Sequence, residues 1–325
     1  MDLEQFLSEW RNDSPVVLVH TSGSTGMPKP LWVEKRRMEA SARITCRFLG
    51  LREGDTALLC MPLDYIAGKM MVVRALTCGL RLLSVAPSTH PLTMDDPIDF
   101  AAMVPLQVYH TLLVPEECER LKRIRHLIIG GGAIDEAMER RLQDFPNAVW
   151  STYGMTETLS HIALRRLNGP ARSDYYTPFE GVEVRLQDDG CLVIHAPAVC
   201  LEPLITNDRA ELAPDGRSFR ILGRRDNVVC SGGIKLQIEE IERKLRPHIQ
   251  VPFLISKRRD PEFGEMVVLL VEDADRTKYT AVCQEVLAKY ERPKLILSVE
   301  RIPMTETGKP ARKQAEELVS QSGCR

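Results

Sequence analysis

The segment Thr21-Ser22-Gly23-Ser24-Thr25-Gly26-Met27-Pro28-Lys29 gathers four hydroxyls, two glycines and one lysine into nine residues. Glycines let successive backbone N–H groups turn toward a single anion, and hydroxyls add donors to phosphate oxygens. Lys29 adds a positive charge at the far end of the segment. That combination suits a nucleotide polyphosphate. It is not the P-loop pattern, because no Gly-Lys-Ser/Thr opens a helix. Ser, Thr and Gly also fill ordinary surface turns, so other motifs must decide between the two readings.

Two further motifs follow candidate strand ends, where open parallel sheets bind ligands. Gly130-Gly131-Gly132 succeeds the apolar run His126–Ile129, and glycines there permit close backbone approach; a tight structural turn explains the triplet equally well. Tyr153-Gly154-Met155-Thr156-Glu157-Thr158 succeeds Ala148–Thr152. The Tyr153 face can stack on a purine, Thr156 can reach a phosphate oxygen, and Glu157 is a hard oxygen ligand suited to Mg²⁺ on a nucleotide. A helix N-terminal charge is the alternative for Glu157. Near the C-terminus, Pro303 and Gly308 frame a rigid turn from which Lys309 projects.

The elements that must position these residues are legible as alternating patterns. Expected helices are 2–10, 37–49 (ended by Gly50), 66–78 (ended by Gly79), 96–103 and 135–143; expected strands are 16–19, 56–61, 81–85, 107–109, 126–129 and 148–152. Strands alternating with helices imply a largely parallel sheet covered on both faces. From about residue 180 the texture turns β-rich, with 182–186 and 191–195 joined by the hairpin signal Asp188-Asp189-Gly190, and 218–222 following. A compact α+β pattern then runs through helix 236–245, strands 251–256 and 266–271, helix 280–290, strand 295–299 and a last helix near Lys309. The fold class is therefore α/β. A larger N-terminal domain (1–224) carries a mainly parallel sheet plus a β-rich subdomain, and a smaller α+β domain (225–325) follows.

Composition narrows the function. With 44% hydrophobic and 27% charged residues the chain can bury a core, and 43 Lys+Arg against 45 Asp+Glu argues against a generic nucleic-acid binder. The nine cysteines include no C-x-x-C pair, which favours reduced thiols in a cytoplasmic protein over a zinc site. No stretch reaches the length of a membrane span, and no signal-peptide core follows Met1.

Taken in order over roughly residues 15–312, the motifs resemble those of the adenylate-forming superfamily of acyl-CoA synthetases, luciferase and peptide-synthetase adenylation domains. The resemblance implies ATP, Mg²⁺ and coenzyme A as ligands. It implies a small carboxylate as substrate, activated as an acyl-adenylate, and a C-terminal domain that rotates as a lid. It assigns phosphate binding to Thr21–Gly26 and Lys29, the adenine and acyl pocket to Gly130–Gly132 with Tyr153 and Gly154, and Mg²⁺ to Glu157. Asp208 becomes the ribose ligand, Arg224 a ribose or phosphate contact and Asp226 the hinge. Gly232 and Gly233 approach the pantetheine tunnel, and Lys309 is the catalytic lysine beside Thr156 and Glu157. The stretches 61–71 and 153–165 resemble most the o-succinylbenzoate–CoA ligases of menaquinone biosynthesis, in a short form lacking most of the first subdomain. Tyr65, Lys69, His161 and Arg165 are then the candidates to meet the substrate, whose distal carboxylate needs a cationic or hydroxyl-rich partner. Two departures stand out: Asp64-Tyr65 replaces the usual aromatic-His, and Asn207 replaces the glycine before the ribose Asp. Transfer to a carrier-protein thiol, or nucleotide binding without turnover, are the competing readings.

Overall fold

The computed structural model describes residues 1–20, 30–132, 134–305 and 310–322. The segment 21–29 and residues 306–309, including Lys29 and Lys309, lie outside them. Contacts divide the chain into two compact units: residues 1–185, 193–205 and 212–220 form the first, and 186–192, 206–211 and 221–325 the second.

The first unit opens with helix α1 (Leu3–Arg11), capped by Asp2, whose carboxylate accepts from Gln5 N while the Gln5 side chain accepts from Asp2 N. Strands β1 (Val16–His20) and β2 (Pro30–Glu34) then pair as a two-stranded antiparallel sheet. Helix α2 (Lys35–Leu49), strand β3 (Thr56–Leu59), helix α3 (Ile66–Cys78) and strand β4 (Arg81–Ser84) follow. Next come β5 (Phe100–Met103), α4 (Pro105–Leu113), α5 (Pro115–Arg123), β6 (His126–Ile129), α6 (Glu136–Leu142), β7 (Ala148–Gly154), β8 (His161–Arg166) and β9 (Thr177–Pro178). These strands form a seven-stranded sheet in the order β4-β3-β5-β6-β7-β8-β9, parallel from β4 through β7 and antiparallel beyond.

Two expectations are reversed here. The span 96–103 was expected to be helical, but its second half is strand β5, every residue of which is buried. A short, fully buried run carries no period with which to tell helix from strand. The span 107–109, expected as a strand, lies within α4, where Pro105 opens the helix and Gln107 Oε1 accepts from Val104 N at 3.1 Å.

Strands β10 (Glu183–Leu186), β11 (Cys191–His195), β12 (Leu204–Leu212) and β13 (Phe219–Arg224) form a four-stranded sheet in chain order. In the second unit, β14 (Val228–Ser231) and β15 (Ile234–Gln237) turn through Gly232 and Gly233, both at positive φ (58° and 82°). That is the conformation a two-residue hairpin demands. Residues 236–237, expected to begin a helix, therefore end a strand, and α7 runs Ile238–Leu245. Strands β16 (Phe253–Asp260) and β17 (Gly264–Val271), helix α8 (Lys278–Val286), strand β18 (Leu295–Ser298) and helix α9 (Arg312–Gln321) complete it. Period-2 alternation serves both faces of this sheet: Ile255, Val267 and Leu269 pack with residues of α7 and α8, whereas Leu254, Val268 and Leu270 pack with Ala315 and Val319 of α9.

Candidate functional site

Two of the motifs are neighbours because their strands are. In the parallel pair β6–β7, Ile129 lies opposite Ser151, so Gly130–Gly132 and the 153–158 hexapeptide leave adjacent strand ends. The contact is close: a β-carbon on Gly130 would stand 2.3 Å from Thr152 Oγ1. Gly154 is more constrained still, since its β-carbon would meet Ser160 O at 2.3 Å and His161 Cα at 2.4 Å, where the β7–β8 register shifts. Only glycine lets the chain double back there.

The doubled-back turn is a short 3₁₀ helix, Thr156–Thr158, held by hydroxyls: Thr158 Oγ1 accepts from Met155 N and lies 2.7 Å from Ser160 O. Leu159 takes φ +65°, the one non-glycine residue at positive φ among those described. Thr156 is buried, while Glu157 is exposed and makes no ion pair among the described residues. A free carboxylate on a fixed turn fits a Mg²⁺ ligand, since Mg²⁺ on nucleotide phosphates takes one or two protein carboxylates. Tyr153 is buried, with Phe219 at 5.1 Å edge-on and Tyr176 at 5.8 Å.

Beyond that turn lies a buried polar chain that spacing did not reveal. Arg74 of α3 is 2% exposed. Its Nη2 donates to Ser160 Oγ at 2.6 Å. Thr45 Oγ1 donates its proton to Ser41 O at 3.1 Å, so it must accept from His161 Nε2, also at 3.1 Å. Nδ1 of His161 then accepts from Ser160 Oγ at 3.1 Å, and the ring is neutral. Arg74 Nε is buried without a hydrogen-bond partner, and no carboxylate pairs with the guanidinium, among the described residues; the groups that favour its charged form are the Cys46 and Cys78 thiols. Burial pushes its pKa down to about 10.

Burial, and secondarily the Arg74 charge, hold the His161 pKa well below the ordinary 6.5. The unfolded chain therefore binds a proton below pH 6.5 that the folded chain refuses, and stability falls as pH falls through that value. The loss is at most about 1.4 kcal/mol per pH unit. His161→Gln is expected to flatten the slope of urea-unfolding stability between about pH 6.5 and 5 by up to that amount. An unchanged slope would mean that the imidazole is already charged in the fold.

The other substrate candidates have internal partners. Lys69 Nζ donates to Leu18 O at 2.6 Å and lies 3.7 Å from the Glu9 carboxylate. Arg165 forms a two-pronged pair with Glu139, at 3.1 and 2.9 Å, and lies over the Tyr176 ring. Tyr65 stands at the N-cap position of α3 without a side-chain capping bond, half-buried, beside Asp64, which pairs with the Met1 ammonium at 3.0 Å.

In the second unit, Asp208 lies on β12, its N–H donating to Thr206 Oγ1 at 3.1 Å. Arg224 ends β13 and its Nη2 lies 3.4 Å from Asp226, on the 3₁₀ turn that follows. Asn207, at the position of the expected glycine, accepts from Arg225, which also reaches Asp189 at 3.1 Å. The side chain thus replaces backbone freedom with a tether. Met304 and Pro310, on either side of 305–309, form an antiparallel bridge. Arg312 then donates twice to Glu242, at 3.0 and 2.8 Å.

Comparison with known proteins bears on the same residues. A model of the family described as AMP-binding enzyme matches residues 4–197. A 2-succinylbenzoate–CoA ligase of Listeria monocytogenes is 24% identical over 352 residues, covering 96% of this chain and 72% of its own. A crystal structure of an acyl-CoA synthetase (AMP-forming)/AMP-acid ligase II-like protein from Dyadobacter fermentans is 33% identical, with a TM-score of 0.66, 97% of this chain and 92% of that one covered. The o-succinylbenzoate coenzyme A synthetase of Bacillus subtilis, solved with ATP and magnesium ion, shares the fold at 23% identity and TM-score 0.76, covering 91% of this chain and 69% of its own.

Proposed function

Since the chain belongs to the AMP-binding enzyme family of AMP-forming acyl-CoA synthetases, we propose that it joins o-succinylbenzoate to coenzyme A through an acyl-adenylate. In the first step a substrate carboxylate oxygen bonds to the α-phosphorus of ATP and the bond to pyrophosphate breaks. In the second, the CoA sulfur attacks the acyl carbon, AMP leaves, and the thiol proton passes to solvent. The protein's share is positioning and charge stabilisation. Residues 21–29 bind the phosphates, Asp208 the ribose hydroxyls, and Arg224 a ribose or phosphate oxygen. Gly130–Gly132 and Gly154 let the backbone approach the nucleotide and acyl group, and Gly232 and Gly233 line the path of the pantetheine arm. Glu157 would hold Mg²⁺, which neutralises charge on the departing pyrophosphate. Asp226 is the hinge of the 225–325 lid.

The observation that carries the substrate is Arg74. A buried guanidinium with a free Nε and no carboxylate partner among the described residues is costly unless a ligand supplies the counter-charge. A second carboxylate, as in o-succinylbenzoate, does so. Lys69 and Arg165, by contrast, already face Glu9 and Glu139. The 2-succinylbenzoate–CoA ligase relatives support the same choice.

Pyrophosphate exchange across o-succinylbenzoate, malonate, benzoate and a long-chain fatty acid, with CoA then added, tests this reading. o-Succinylbenzoate is expected to be activated best and to pass to free CoA. In Arg74→Met its KM is expected to rise about 30-fold or more, while benzoate changes little. Equal losses for both would make Arg74 a packing residue, and preference for fatty acids would overturn the substrate. Thioester formation only on a carrier protein would reassign the acceptor.

A further inference from the structure

Among the described residues the hairpin β1–β2 belongs to no larger sheet, and a lone two-stranded hairpin is marginal by itself. Its two ends, His20 and Pro30, are register partners, so residues 21–29 connect a strand pair whose outer edge on β1 has no neighbouring strand among the described residues. Along that edge the outward backbone groups are met by side chains instead. Ser14 Oγ donates to Val16 O at 2.9 Å and lies 3.3 Å from Val16 N. Leu18 N–H donates to Glu9 Oε1 of α1 at 3.4 Å, and Leu18 O accepts from Lys69 Nζ of α3 at 2.6 Å. Lys69 is only 3% exposed and its ammonium also lies 5.4 Å from the centre of the buried Phe6 ring. Val17 and Val19, on the same strand, are fully buried.

We propose that Glu9 and Lys69 are positioning residues, which stand in for a missing third strand on β1 and so fix the frame from which residues 21–29 meet the phosphates of a nucleotide. The proposal rests on the reading of 21–29 as the phosphate segment. It gives Lys69 a task other than meeting the substrate. Removing the ammonium leaves a part-buried carbonyl unpartnered three residues before Thr21, together with a carboxylate that has lost its counter-charge. The hairpin can then rotate against α3, and the cost falls on ATP and not on the acyl group. Burial lowers the Lys69 pKa while Glu9 and Asp64 oppose that shift, as expected for an ammonium retained for its charge in a dry site.

The test compares Lys69→Met and Glu9→Gln with the wild type in three measurements: calorimetric Kd for ATP, KM for ATP and for o-succinylbenzoate in pyrophosphate exchange, and thioester formation from supplied acyl-adenylate. Lys69→Met is expected to weaken both ATP constants about tenfold, with the carboxylate KM and the thioester step within about twofold. Glu9→Gln, which keeps an acceptor for Leu18 N–H, moves the ATP constants in the same direction by less. Unchanged ATP binding in both variants, or ATP and carboxylate constants rising in parallel, overturns the proposal. If Lys69→Met does not fold, Glu9→Gln decides it alone. A wild type that binds ATP but exchanges no pyrophosphate sinks the ligase reading and leaves the clamp judged by Kd; a wild type that binds no ATP sinks both.

Discussion

Lys309→Ala is expected to slow acyl-adenylate formation by about 10²–10³-fold. Thioester formation from supplied acyl-adenylate is expected to stay within about threefold of the wild type. The reason is where charge develops. As the carboxylate oxygen approaches the α-phosphorus, negative charge gathers on the phosphate oxygens, and an ammonium on a long stem acts there as a point charge. In the thioester step the α-phosphorus is not attacked, and the proposed rotation of the 225–325 lid takes Lys309 away from the phosphate before AMP leaves. Lys309 itself lies outside the described residues, but its frame does not: the Met304–Pro310 bridge closes the segment and the Arg312–Glu242 pair anchors the chain three residues on. Lys309→Arg should restore little, because a planar fork cannot occupy the site of a compact ammonium. Equal loss of both half-reactions would assign Lys309 to the fold and not to the chemistry.

Glu157→Gln is expected to lower turnover on the order of 100-fold at limiting Mg²⁺. A neutral amide is a poor ligand for a hard cation, so partial recovery at high Mg²⁺ should accompany the loss. The melting temperature should hardly move, because Glu157 is exposed and without an ion pair among the described residues. Turnover measured against Mg²⁺ concentration, with thermal melting alongside, separates the two effects. Activity near wild type at all Mg²⁺ concentrations would remove Glu157 from the metal site.

What the amino-acid order determined is local and contiguous. The helix Ile66–Cys78 and the strand His126–Ile129 are bounded by their own pattern and by the glycines that follow them. The hexapeptide 153–158 announces itself because its chemistry lies within six neighbouring residues. Strand β5 and helix α4 were exchanged for each other. A four-residue run buried on all sides has no periodicity to read, and a helix opened by Pro105 and Gln107 takes its identity from its cap. Tertiary structure alone decided which cations have partners. Arg74, Lys69 and Arg165 are the same kind of residue in a sequence, and 69 and 165 were singled out there while 74 was not. Folding sets Glu139 against Arg165 and Glu9 against Lys69, but among the described residues it brings no carboxylate to Arg74, whose partners are the Ser160 hydroxyl, from 86 residues away, the Met71 sulfur and the Phe100 ring. The physical reason is that charge compensation depends on distance through space and on loss of water, and neither quantity is written in the spacing along the chain.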